Sequence, residues 1–160
     1  MCSGYPAGEI QASPVVTTDY YMREALIEGR KALPSCLPNP PVGCVVVLGG
    51  EIVGRGHTQP PGAPHAEIGA LNAAQCDLTD ATLFVTLEPC SFRGRTPACA
   101  EAIIARGIRR VVVAIIDPDP RNNGAGIARL KSAGTVVQLG VLAELAQAEL
   151  GPYLNLPANR

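Results

Sequence analysis

A chain that opens with a strand hairpin and then alternates strand-like with helix-like segments is expected to fold as an α/β domain. The architecture predicted is a mixed five-stranded sheet with helices on both faces. Three observations point to it. Residues 42–48, Val-Gly-Cys-Val-Val-Val-Leu, are split by Gly49-Gly50 from a second extended piece at 51–54. Further apolar runs at 81–87, 111–116 and 135–139 each stand between helical segments. The 160 residues, 47% hydrophobic and 17% charged, suit one core rather than two.

Residues 19–33 carry Met22, Ala25, Leu26 and Leu33 at helical spacing, with Thr18 or Asp19 to cap the first turn and Pro34 to stop the last. Ahead of this helix, residues 1–18 are rich in Ser, Gly, Pro and Thr, and a flexible lead is expected there, with a single domain over 19–160. The lead has neither the basic start nor the apolar run of a signal peptide, and no stretch is long enough to span a membrane. The β-branched run 42–48 and the piece 51–54 read as a hairpin about Gly49-Gly50. A Pro/Gly-rich loop leads to a helix over 65–74, with Pro64 at or before its first turn. The strand at 81–87 is followed by a loop over 88–96 and a helix opened by Pro97 and closed near Gly107. The strand at 111–116 is too apolar to leave either face wet. Asn122-Asn123-Gly124 carries turn chemistry, after which a helix at 127–133, a strand at 135–139 and a closing helix at 141–150 complete the order αββαβαβαβα. Crossover helices between the later strands make those strands parallel.

Formal net charge is −1, with 13 basic and 14 acidic residues and no basic run, so the electrostatic footprint of a nucleic-acid binder is missing. With no Trp, four Tyr and two Phe, base-stacking platforms are scarce as well. A small molecule is the expected partner. Six cysteines without a secretion signal read as reduced thiols or metal ligands in a cytoplasmic protein rather than as a disulfide framework. Cys44, inside its apolar run, reads as a core residue.

The chemistry concentrates in two segments. His65-Ala-Glu67 lies where a loop enters a helix, and Cys90 and Cys99 lie where a strand hands over to the next helix. Both positions belong to the crevice beyond the strand ends, where open α/β sheets hold ligands. One imidazole and two thiolates suit zinc and leave its fourth tetrahedral position open for water. Glu67 is two residues from His65, so in a regular helix the two side chains would diverge by about 200°. His65 is therefore expected at the helix edge, with Glu67 beside the metal as a proton shuttle rather than a ligand. His-x-Glu followed by Pro-Cys-x-x-Cys is the zinc-deaminase signature; here eight residues, 91–98, separate the two cysteines.

Asn39-Pro-Pro-Val-Gly43, Pro64-His-Ala-Glu67 with Ala70-Leu71, Thr86-Leu-Glu-Pro-Cys-Ser91, Gly94-Arg-Thr-Pro97 with Cys99, Asp117-Pro118 with Pro120, and Gly124 with Gly126 form a longer pattern. Over about residues 39–140 it resembles the deaminase domain of riboflavin biosynthesis, which acts on diaminohydroxyphosphoribosylaminopyrimidine. The resemblance includes the long cysteine spacing. It implies a cytidine-deaminase-like three-layer αβα fold, zinc on His65, Cys90 and Cys99, catalysis by Glu67 and a substrate hydrogen bond from Asn39. It also implies a homodimer or homotetramer. Many members carry a fused reductase, and these 160 residues are expected to hold the deaminase part alone.

The departures from the pattern fall in the expected pocket. Thr58 and Phe92 stand where the family has histidines, with His57 next to the first as a displaced imidazole, and Asp119 stands where it has Asn. Asp119 would set a negative charge against a phosphorylated chain, so a changed substrate is expected: an unphosphorylated or cationic amino-heterocycle. Asp117 belongs to the same substrate-facing set. Glu88 is either a solvated carboxylate or a holder of the Arg95 or Asn39 side chain. Arg93 and Arg95 are either a charged loop or a reader of an anionic or planar group. Gly124 and Gly126 lack the third glycine of a dinucleotide fingerprint. Two other readings compete with the enzyme: a Cys90–Cys99 disulfide, and a binding protein stapled by a structural metal. Glu67 and a three-donor set speak against the latter.

Overall fold

The computed structural model describes residues 14–94 and 97–155, and its elements follow the order αββαβαβαβα. Most of the lead at 1–18 and the Arg95 position lie outside the described residues. The first helix, α1 (Pro14–Arg30), starts before the expected Thr18 or Asp19 cap. Proline at the start of a helix removes an N–H that has no intrahelical acceptor. The helix stops at Arg30, short of the expected Leu33, and tight turns carry the chain on toward Asn39.

Strands β1 (Gly43–Leu48) and β2 (Glu51–His57) form the hairpin, and Gly49 and Gly50 take the positive φ values of 59° and 82° that a two-residue turn asks for. Next come α2 (Ala66–Ala73), β3 (Thr82–Leu87), α3 (Cys99–Ala105) and β4 (Arg110–Ile115). The chain continues through α4 (Ala125–Ser132), β5 (Val136–Leu139) and α5 (Ala143–Leu154). Helix α3 opens at Cys99 rather than at Pro97, because Ala98 keeps an extended backbone and the Cys99 N–H is taken by the Cys90 sulfur.

The sheet order is β2-β1-β3-β4-β5. Strand β1 is antiparallel to both of its neighbours, while β3, β4 and β5 run parallel. Helix α2 packs on β1 and β2 and touches α3, which touches α4, so these three form one layer. Helices α1 and α5 lie on the opposite face, joined by the Arg30–Glu149 ion pair. The cover thins at β5, where Val136 and Leu139 are 61% and 47% exposed. Cys36 and Cys44 are buried free thiols, as are Cys90 and Cys99. No described helix is long and apolar enough to cross a membrane.

Glycine lets helix backbone rest directly on strand backbone. A Cβ at Gly54 or Gly56 of β2 would stand 2.2 Å from the carbonyl oxygen of Ala70 or Ala66 in α2. On the other face, a Cβ at Gly43 would meet the Ala25 oxygen of α1 at 1.8 Å. Gly69, inside α2, has nothing nearer its Cβ position than 3.4 Å. Gly43→Ala should therefore destabilise the fold by about 2–3 kcal/mol through overpacking, whereas Gly69→Ala should be neutral or stabilise by about 0.5–1 kcal/mol through helix propensity. Urea denaturation midpoints of the two variants decide; equal midpoints would contradict this packing.

Candidate active site

Helix α2 enters the site with His65 as its N-cap residue, φ −73° and ψ 170°, so the imidazole stands outside the helical phase that Glu67 follows. This is the helix-edge geometry that the two-residue spacing required. His65 Nδ1 lies 3.3 Å from Cys99 Sγ and 3.8 Å from Cys90 Sγ. Zinc bonds of about 2.0–2.1 Å to nitrogen and 2.3 Å to sulfur in a tetrahedron place such donors about 3.6 Å apart. All three ligand atoms lie within 4.8 Å of one another, so the donor set fits one ion by both chemistry and spacing.

The thiols are prepared for a cation. Cys90 Sγ accepts the Cys99 N–H at 3.2 Å, and the Cys90 carbonyl accepts the Ala100 N–H at 3.1 Å, which closes the base of the 91–98 loop on the start of α3. A hydrogen bond from the Cys99 thiol, with His65 assisting, drives Cys90 well toward thiolate, and the same bond with burial holds the Cys99 proton on. The pair keeps both sulfurs at one point, which a metal would convert to two thiolates. Glu67 is buried, and desolvation, aided by the charge of Cys90, pushes its carboxyl up to about 7. A general acid and base working near neutrality needs a value of this kind.

His65, Glu67 and Cys90 line a cleft of about 400 Å³, counting the space open to solvent, together with Asn39, Pro40, Val42, Thr58, Leu87 and Glu88. Thr58 lines it with a hydroxyl already engaged, donating to the Pro40 carbonyl at 2.9 Å and accepting the Val42 N–H at 3.0 Å. His57 is turned away from it. Its Nδ1 lies 3.1 Å from Glu28 Oε1 on α1, so it does not stand in for an imidazole at Thr58. His57 ends β2 and Thr58 follows it, and successive residues of extended backbone point to opposite sides, which accounts for the difference. Burial raises the Glu28 carboxyl, but hydrogen bonds from Lys31 and His57 outweigh it and leave the group below its ordinary value.

Glu88 is buried rather than solvated. Its Oε1 accepts the N–H groups of Asp117 and Gly124 at 3.1 and 2.9 Å, and its Oε2 accepts that of Ile127 at 3.0 Å. Gly124, the N-cap of α4, has no side chain to cap with, and the Glu88 carboxylate supplies that function from β3's end. Asp117 is fully buried and accepts the Asp119 N–H at 3.0 Å. It organises its own loop and is not among the residues that line the cleft.

Asp119 is not a bare charge. Its carboxylate accepts the backbone N–H of Arg121 at 2.9 Å and takes the guanidinium in two contacts, the shorter 2.8 Å. That guanidinium lies 4.2 Å from the centre of the Phe92 ring. Phe92, Arg121 and Asp119 thus form one stack beside Cys90, and Arg93 is exposed. Two participants escaped the sequence reading. Arg121 looked like a loop residue, although an Asp two residues before an Arg is a local signal for such a turn. Asn122 looked like turn chemistry, and nothing in its neighbours signals that it is buried.

Residues 16–115 match the family described as the cytidine and deoxycytidylate deaminase zinc-binding region. The chain is 50% identical over 127 residues to the riboflavin biosynthesis protein RibD of Aquifex aeolicus, covering 79% of this chain and 36% of that protein. It superposes on RibD of Acinetobacter baumannii with a TM-score of 0.86 at 41% identity, over 89% of this chain and 40% of the other. A diaminohydroxyphosphoribosylaminopyrimidine deaminase/reductase of Thermotoga maritima gives a TM-score of 0.84 at 38% identity, over 89% and 41% of the two chains. The chain therefore spans about two fifths or less of the length of these relatives.

The position of Glu88 yields a test. In Glu88→Gln one acceptor oxygen becomes an NH2 facing an N–H, so the variant should lose about 1–3 kcal/mol of stability. Hydrogen exchange at the Gly124 and Ile127 amides should quicken, and unchanged protection of both would refute the capping role.

Proposed function

The chain belongs to the cytidine and deoxycytidylate deaminase zinc-binding family, and from that premise we propose that it is a zinc-dependent hydrolytic deaminase releasing ammonia from an amino-substituted nitrogen heterocycle. The observation that carries this reading is the meeting of His65, Cys90 and Cys99 at a cleft that His65, Cys90 and the buried Glu67 line. His65, Cys90 and Cys99 would hold the metal, which when bound supplies Lewis acidity and a nucleophilic water at neutral pH. Glu67 takes one proton from the water and passes it to a ring nitrogen, then moves the water's second proton from the newly added hydroxyl to the departing amine, one carboxyl serving in both directions because burial holds its pKa near 7. A structural staple would use four protein donors and would have no use for such a carboxyl.

The substrate is a pyrimidine-type amine of the class named for the Thermotoga relative, recognised differently at its outer end. Thr58 directs its hydroxyl to backbone, and the aromatic Phe92 carries Arg121 on its face. Asp119 opposes a phosphorylated chain, but the Arg121 partner offsets part of that charge and makes the discrimination smaller than a naked carboxylate would give. On this reading the balance between Asp119 and Arg121 sets the preference between phosphorylated and unphosphorylated substrates.

Ammonia release from the phosphoribosyl aminopyrimidine, its dephosphorylated riboside and the free base tests the reading, and no release from any amino-heterocycle would end it. Glu67→Gln should keep about one zinc per chain and lower turnover by at least roughly two orders of magnitude, whereas Cys90→Ala should lose the zinc. Asp119→Asn should raise the rate on the phosphorylated substrate relative to the riboside by less than the roughly tenfold that one unpaired like-charge contact of about 1.4 kcal/mol would give. Arg121→Gln should move the ratio the other way; ratios that ignore both changes would remove these two residues from substrate recognition.

A further inference from the structure

The turn that carries Cys90 belongs to no helix or strand: β3 ends at Leu87 and α3 starts at Cys99. No ladder holds it, so its direction depends on individual hydrogen bonds. One buried side chain supplies them on both flanks of the cysteine. Asn122, 3% exposed, donates through Nδ2 to the Pro89 carbonyl at 3.2 Å and to Asp117 Oδ2 at 3.4 Å. Its Oδ1 accepts from Ser91 Oγ and from the Gly126 N–H, each at 3.0 Å. Pro89 and Ser91 are the residues immediately before and after Cys90.

A carboxamide has two N–H donors and one oxygen with two lone pairs, and here all four capacities are used. No other side chain of similar size matches this set. An apolar one would leave the Pro89 oxygen, the Ser91 hydroxyl and the Gly126 N–H without this partner, and a carboxylate would turn an acceptor against the Pro89 oxygen. The Gly126 contact also has no slack, because a Cβ on Gly126 would stand 1.9 Å from the Pro89 oxygen. The start of α4 and the cysteine turn are in backbone contact, and the Asn122 amide is the pin through both.

We propose that Asn122 is a positioning residue for the metal site, fixing the direction in which Cys90 presents its sulfur. The inference rests on the reading of His65, Cys90 and Cys99 as zinc ligands. Two anchors, one on each flank, stop the turn from pivoting; with one removed, Sγ swings about the other and leaves its contact with the Cys99 N–H, 3.2 Å in the intact site. Groups that orient a metal's ligands without touching the metal carry about 10- to 100-fold in metal affinity or activity.

Competition against a chromophoric chelator measures zinc affinity in the full chain, and cobalt(II) substitution reports the site's geometry through its thiolate charge-transfer and d–d bands. Asn122→Ala should weaken zinc binding by about 10- to 100-fold and shift the cobalt bands, with far-UV circular dichroism unchanged. Ser91→Ala, which removes a single anchor from a partly exposed side chain, should shift both readouts in the same direction by less. In the double variant the two effects should be non-additive, since they act on one pin. Parent-like zinc affinity and cobalt bands in Asn122→Ala would overturn the proposal; if that variant does not fold, parent-like behaviour of Ser91→Ala does so. A parent protein that takes up no zinc would instead show that the ligand reading itself is wrong.

Discussion

Backbone resting on backbone is the constraint from which the site follows. Helix α2 lies against β2 at Gly54 and Gly56, and the start of α4 lies against the Pro89 carbonyl at Gly126. A Cβ at any of these points would stand 1.9–2.2 Å from a backbone oxygen, so the helix start that carries a site residue or anchors the cysteine turn would have to move. Glycine removes that Cβ where the site needs it, and larger apolar residues fill the core elsewhere.

Two buried glutamates in the same cleft show how surroundings divide the work among identical side chains. Glu88 accepts three backbone N–H groups and caps α4, so its charge is balanced by fixed dipoles and it serves as architecture. Glu67 is drawn up to about 7 by burial, with the charge of the Cys90 sulfur adding to it, which leaves it able to exchange a proton. The general rule that environments set carboxyl groups apart as acid, base or anchor operates here over a single pocket wall. Around them, Asn122, Asp117 and Ser91 tie the cysteine turn to the β4–α4 loop, so the metal donors and the Phe92–Arg121–Asp119 stack share one framework.

That framework also changes the meaning of individual residues. Asp119 taken alone is a negative charge aimed at a pocket; with Arg121 two residues on, it is half of an ion pair laid over an aromatic ring. Thr58 taken alone is a polar reader reduced in size; in place, its hydroxyl joins Pro40 to Val42 and shapes the wall beside Asn39.

The αββαβαβαβα order, the hairpin at Gly49-Gly50 and the convergence of His65, Glu67, Cys90 and Cys99 were legible in the sequence alone, because each depends on local periodicity, turn chemistry or donor type. The helix-edge placement of His65 was legible for the same reason, since a two-residue spacing admits few geometries. The early start of α1 at Pro14 was hidden by composition that reads equally as loop. Only the tertiary structure decided that His57 turns to Glu28, that Glu88 caps α4 and that Asn122 holds both flanks of Cys90. Each of those outcomes pairs groups about 30 residues or more apart in the chain. A hydrogen bond is specified to a few tenths of an ångström, and sequence spacing carries no such information until helices and strands have docked.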